Sequence, residues 1–175
     1  MDRYWLLTWS TYGTRLPGDP RGSVARVKTA IDERRAVQLE ERATVLSNAA
    51  RRHMRGPPVL LSRDQARHAL ADLGRSAAHR GWELLAASVM RNHVHVVVGV
   101  PADPDPADLL RVFKAYASRA LNERFARPQS GTWWTASGSR RRLMDEPAVV
   151  QAMRYVLDQP GVLAMWGQDV EDRFA

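Results

Sequence analysis

Val89-Met90-Arg91-Asn92-His93-Val94-His95-Val96-Val97-Val98 is a strongly β-forming run with two histidines separated by one apolar residue. Side chains alternate between the faces of a strand, so His93 and His95 share one face while Val94, Val96 and Val98 share the other. At the backbone the histidines stand roughly 6.5 to 7 Å apart, close enough for both rings to tilt onto one cation. The same alternation describes any half-buried strand whose histidines merely face solvent. The pair alone leaves both readings open, and other residues must decide.

Working outward, about Trp82 to Met90 reads as a second strand, joined to the first by the short Arg91-Asn92 turn into a hairpin. Upstream, Ser62-x-x-Gln65 matches a capping box, and Ala66, Ala69, Leu70, Leu73 and Ala77 recur at helical spacing. Ser62 to Arg80 is therefore expected to be an amphipathic helix. Tyr4 to Tyr12 is rich in aromatic and β-favouring residues and reads as the first strand, ending at Gly13. Between them lies a helical insertion over about 14–60, with a helix from about Thr29 to Arg55 that is broken by Gly56-Pro57-Pro58. Arg51, Arg52 and Arg55 near its C-terminal end complement the helix dipole, which is a sufficient structural reason for them.

Downstream, the Asp/Pro-rich stretch to Pro106 caps a helix running to about Phe125. A polar loop with Gly131, Trp133, Trp134, Gly138 and the run Arg140-Arg141-Arg142 follows. A last helix spans about Glu146 to Asp158, with Pro147 in its first turn and Pro160 ending it. This order fits one domain over residues 1–175, an α+β fold with a small antiparallel sheet and helices packed on one face.

Composition narrows the partners. The 175 residues carry 26 Lys plus Arg against 19 Asp plus Glu, a net charge of +7, with a sequence pI near 10.7. Only Lys28 and Lys114 are lysines, so the excess is arginine, suited to bidentate phosphate contacts and base stacking. A polyanion, nucleic acid first, is the expected partner, although codon bias in a GC-rich genome yields the same excess. With no cysteine, disulfides and thiolate metal sites are excluded. No long apolar run or signal-like start occurs, so a cytoplasmic protein without membrane contact is expected.

Helical geometry sorts the tyrosines. Tyr116 lies about 60° from Phe113, inside the arc of Leu109, Leu110, Phe113, Ala117 and Ala120, and is assigned to packing. In the last helix Val149, Val150, Met153, Val156 and Leu157 form the apolar arc, while Tyr155 sits about 160° from Met153 on the polar side. Gln159, at i+4, shares the face of Tyr155. Tyr155 either serves chemistry or covers a loop or sheet edge.

The segment Met90-Arg91-Asn92-His93-Val94-His95-Val96-Val97-Val98, followed later by Tyr155-Val156-Leu157-Asp158-Gln159-Pro160, resembles the single-tyrosine HUH transposases, and among them the REP-associated tyrosine transposases. The opening Thr8-Trp9-Ser10-Thr11-Tyr12-Gly13-Thr14-Arg15-Leu16-Pro17-Gly18-Asp19 is also similar to a start found in that group. The resemblance implies a ferredoxin-like α+β domain with the histidine strand central in the sheet. It implies His93, His95 and Gln159 as ligands of a divalent metal, Mg2+ or Mn2+, and Tyr155 as the nucleophile. Many REP-associated members carry asparagine in place of Gln159; both amides offer a carbonyl oxygen.

The implied activity is metal-assisted cleavage and transfer of single-stranded DNA beside a hairpin through a 5′-phosphotyrosine, by a monomer or homodimer. Arg140, Arg141 and Arg142 beside Trp133 and Trp134 combine phosphate-binding charge with stacking surface, against the alternative that the tryptophans anchor the loop. Arg51, Arg52 and Arg55 are further DNA-binding candidates. A nucleic-acid-binding module that has lost catalysis and a metal-dependent nuclease using water remain as alternative functions.

Overall fold

A computed structural model describes residues 3–16, 45 and 47–168, so most of the expected insertion lies outside the described residues. The expected hairpin forms from β2 (Glu83–Met90) and β3 (His93–Val100). Strand β1 (Arg3–Ser10) pairs with the other edge of β3, which makes β3 the middle of a sheet ordered β4-β1-β3-β2-β5, antiparallel at every pairing. Here β4 is Ser139–Leu143 and β5 is Val162–Gly167. Neither of these two edge strands is evident in the sequence; the arginine run, expected in a loop, is strand β4.

Helix α1 (Arg63–His79) begins at the expected capping box: the Ser62 hydroxyl accepts from Gln65 N–H, and the Gln65 side chain accepts from Ser62 N–H. Helix α2 (Pro106–Arg124) starts with Asp105 accepting from Ala107 N–H and with proline in its first turn. Both pack on one face of the sheet. Their Ala66, Ala69, Leu73, Phe113, Ala117 and Leu121 meet Trp5, Leu7 and Trp9 of β1 and Val94, Val96 and Val98 of β3 in the larger core. With β1 to β4 these helices make the ferredoxin-like α+β arrangement that the resemblance implied.

Helix α3 (Glu146–Leu157) departs from the expected one-sided packing. Its Val149, Ala152, Met153 and Val156 cover the opposite face, against Leu85, Ala86, Val97 and Leu143. A bulge between Leu84 and Ala86 helps, because the extra residue lets both Leu85 and Ala86 face α3. That face of β3 is apolar at Val97 and polar at His93 and His95. The helix therefore has an apolar seat over one half of the strand and leaves its last turn beside the histidines.

Candidate active site

Strand alternation places Thr8, His95 and Ser88 side by side on the α3 face, since β1 pairs Thr8 with His95 and β2 pairs Ser88 with His95. The His93 and His95 rings lie 4.9 Å apart between centroids and nearly perpendicular, at 88°. The Tyr155 ring from α3 stands edge-on to His95, 5.4 Å between centroids at 76°. Tyr155 is 50% exposed while His95 is only 4% exposed, so the phenol is open to solvent above a nearly buried imidazole.

Each imidazole is oriented through Nδ1. Asn92 Oδ1 stands 2.7 Å from His93 Nδ1 and accepts its proton. Thr8 Oγ1 stands 2.7 Å from His95 Nδ1 and is placed to do the same. With Nδ1 protonated in both rings, each Nε2 keeps its lone pair, the arrangement usual for metal-binding histidines. Burial first, and then the charge of Arg15, lowers the pKa of His93. His95 is pushed down to about 4 by burial, then by His93 and Arg15. Both rings are thus held neutral, as a metal ligand requires.

Gln159 follows the α3 C-cap residue Asp158, and its Nε2 donates to Tyr155 O at 2.8 Å. The amide oxygen is the donor atom that this bond leaves over. Among the described residues no group of three His, Cys, Asp or Glu side chains is placed to hold a metal. A third protein ligand beside the two imidazoles would thus be of another type, and the Gln159 amide oxygen is a hard donor of the right kind. An N/N/O set fits Mg2+ or Mn2+.

The model matched by the chain is that of the IS200-like transposases, over residues 59–157, which is more than half of the sequence and takes in the histidine strand and Tyr155. The chain belongs to this family. No curated protein matches the chain. Two solved structures resemble it. One is a REP-associated tyrosine transposase bound to a REP hairpin, 12% identical with a TM-score of 0.46, covering 88% of this chain and 64% of that one. The other is a Deinococcus radiodurans chain assigned as a transposase, 16% identical with a TM-score of 0.43, covering 91% and 92%. The chain spans 64% of the length of the first of these.

The remaining candidates separate. Trp133 and Trp134 are 3% and 4% exposed, and their indole N–H groups donate to Asn122 Oδ1 at 2.9 Å and to Lys114 O at 3.1 Å. Their burial and these bonds favour the alternative in which they anchor the loop over the one in which they stack on bases. The arginines of β4 are exposed but alternate in direction. Arg141 pairs with Leu6 on the histidine face, while Arg140 and Arg142 pair with Leu7 and Trp5 on the other. Arg51, Arg52 and Arg55 are exposed, and Arg55 N–H donates to the Tyr12 hydroxyl at 2.8 Å, which brings this stretch to the end of β1 nearest the histidines. Tyr116 is half-buried between α1 and α2, in line with packing.

Three residues escape the sequence reading, and a fourth, Asn92, reads there only as part of the turn. Thr8 and Asn92 orient the imidazoles, and Arg15 places a positive charge beside them. Lys114 donates to the carbonyls of Thr135, Ala136 and Ser137 at 3.0, 3.2 and 2.8 Å, holding the loop that leads into β4. The position of Asn92 beside His93 was a usable signal. Thr8 and Arg15 lie in the opening that resembles the family, but only strand pairing and the turn after β1 show that they come near the histidines. Among the described residues no helix is long and apolar enough to cross a membrane.

Proposed function

We propose that this IS200-like transposase cleaves and rejoins single-stranded DNA beside a hairpin, with Tyr155 as nucleophile and REP-like or element-end hairpins as its substrate class. The observation that carries this reading is the solvent-open phenol of Tyr155 packed edge-on to His95, itself paired with His93 on one strand face. His93, His95 and Gln159 would hold Mg2+ or Mn2+, which when bound offsets the negative charge of the phosphate.

The chain's own residues do the rest. Tyr155 Oη loses its proton to solvent and bonds to the scissile phosphorus as the bond from phosphorus to the 3′-oxygen breaks. That oxygen takes a proton and departs as a free 3′-OH, and the 5′-phosphate stays on the tyrosine. The covalent link conserves the phosphodiester, so attack by a new 3′-OH rejoins the strand without ATP. Thr8 and Asn92 keep the imidazoles in the tautomer with Nε2 unprotonated.

Incubating the protein and Mn2+ with end-labelled single strands carrying the hairpins that flank its own gene tests this. Label 3′ of the cut should remain on the protein in denaturing gels and vanish in Tyr155→Phe. Cleavage that survives Tyr155→Phe would move the nucleophile to water, and binding without cleavage would make the protein a DNA-binding module.

A further inference from the structure

Next to the histidines, on the chain leaving β1, is a turn more heavily braced than a surface loop needs. Thr11 is fully buried, and its hydroxyl donates to Val59 O at 2.6 Å while its N–H donates to Asn92 O at 2.9 Å. Thr14 Oγ1 stands 2.9 Å from Thr11 O and 3.2 Å from Asn92 O. Gly13 between them has φ +72°, and a side chain there would run into Met54 and Pro58. These bonds tie the turn to Asn92, the residue that orients His93, and they deliver Arg15 immediately after Thr14.

Arg15 is exposed, and among the described residues no carboxylate pairs with it. It borders a cleft of about 420 Å3 with Tyr12, His53, Met54, Thr132 and Thr135 among the other walls. That volume lies in the usual range for small-molecule sites, about 300–1,000 Å3. The Tyr12 ring is fixed from behind, since its hydroxyl accepts from Arg55 N–H. The cleft thus combines an aromatic ring, hydroxyl and imidazole groups and the Arg15 guanidinium, which is the chemistry that receives a base and its phosphate.

We propose that Arg15 binds a backbone phosphate of the single strand at the histidine pair, and that the cleft between residues 12–16, 50–54 and 132–136 takes the nucleobase attached to it. The turn after β1 is then the part of the protein that reads one nucleotide flanking the cut. This inference rests on the single-strand cleavage reading for its register, but its test does not depend on cleavage.

Binding of Tyr155→Phe protein to the gene-flanking hairpin strands is measured with a neutral methylphosphonate placed at each linkage in turn, and with an abasic nucleotide at each position in turn. One methylphosphonate near the cut should weaken binding about tenfold in the Arg15 protein, and the same linkage should cost nothing further in Arg15→Ala. Arg15→Lys should recover part of the loss, and one abasic position next to that linkage should cost affinity that Tyr12→Ala no longer shows. Unchanged binding of Arg15→Ala, or a loss spread evenly over all linkages, would overturn the inference. If the wild-type protein forms no phosphotyrosine while the Arg15 coupling to one linkage persists, the cleavage reading fails and the nucleotide site stands.

Discussion

Replacing Thr8 by valine isolates the orientation of His95 from its presence. Valine keeps the shape of threonine and its preference for strands, so β1 should pair with β3 and β4 as before. What disappears is the 2.7 Å contact to His95 Nδ1. His95 is 4% exposed, so water has little access to replace the hydroxyl. Leaving a buried polar atom without a partner costs about 1–3 kcal/mol, which for a chain of this size lowers Tm by roughly 2–12 °C.

The larger signature would be at the proposed metal site. Without the hydroxyl to accept from Nδ1–H, the tautomer that protonates Nε2 is no longer disfavoured, and the ring is freer to turn. Loss of such an outer partner typically weakens metal binding about 10- to 100-fold, or about 1.4–2.7 kcal/mol. Titration calorimetry with Mn2+ at pH 7.5 (a pH above the His range, about 6.5) would read this directly. Thr8→Ser, which restores a hydroxyl, should bind close to wild type. If Thr8→Val binds Mn2+ as tightly as the wild type, then Thr8 does not set the tautomer and the assignment of Nε2 as donor fails with it.

Stability should depend on acid in a defined window. Burial pushes the His95 pKa from 6.5 down to about 4, so the unfolded chain takes up this proton first. Stability is therefore full above pH 6.5 and falls as pH drops towards 4, by roughly 3 kcal/mol for this group. His93 acts in the same direction; a urea midpoint unchanged between pH 7 and pH 4 would contradict both. Gly13→Ala should destabilise by about 1–3 kcal/mol, because its φ is +72° and its Cβ would meet Pro58 Cα at 3.1 Å; an unchanged denaturant midpoint would show that the turn relaxes freely. Arg141→Ala should weaken oligonucleotide binding and reduce the salt slope by about one, whereas Arg142→Ala on the opposite face should change neither; equal effects would mean that β4 binds DNA without regard to face.

The parts of the fold legible in the sequence are those where local chemistry and burial agree. The hairpin shows because every residue of β2 and β3 after the first is buried, and α1 shows because its cap is written in Ser62 and Gln65. Tyr155 is legible because an aromatic ring set opposite the apolar arc needs a reason. The edge strands are hidden for the converse reason. In β4 four of five residues are exposed on both faces, so no alternation marks the strand, and three arginines in succession read as loop. In β5 no residue is fully buried. The placement of α3 on its own face also has no local sign, since an apolar stripe does not say which side of a sheet it will cover. The burial of Trp133 and Trp134 depends on partners in α2, Asn122 and Lys114, that lie well upstream in the chain.

The solitary seat of α3 makes the spacing between Tyr155 and the histidines a property of mechanical registration. Tyr155 rides on one layer and the imidazoles on another, and no backbone ladder joins them; the packing of Val149, Ala152, Met153 and Val156, with Ala148 and Leu157, against the sheet sets how far apart they stand. A change of core volume at Met153 would therefore act like a shim, tilting the phenol relative to His95 while leaving every reacting group intact. The helix packs on a cluster separate from the larger core beneath the sheet, so a change at its seat need not disturb that core.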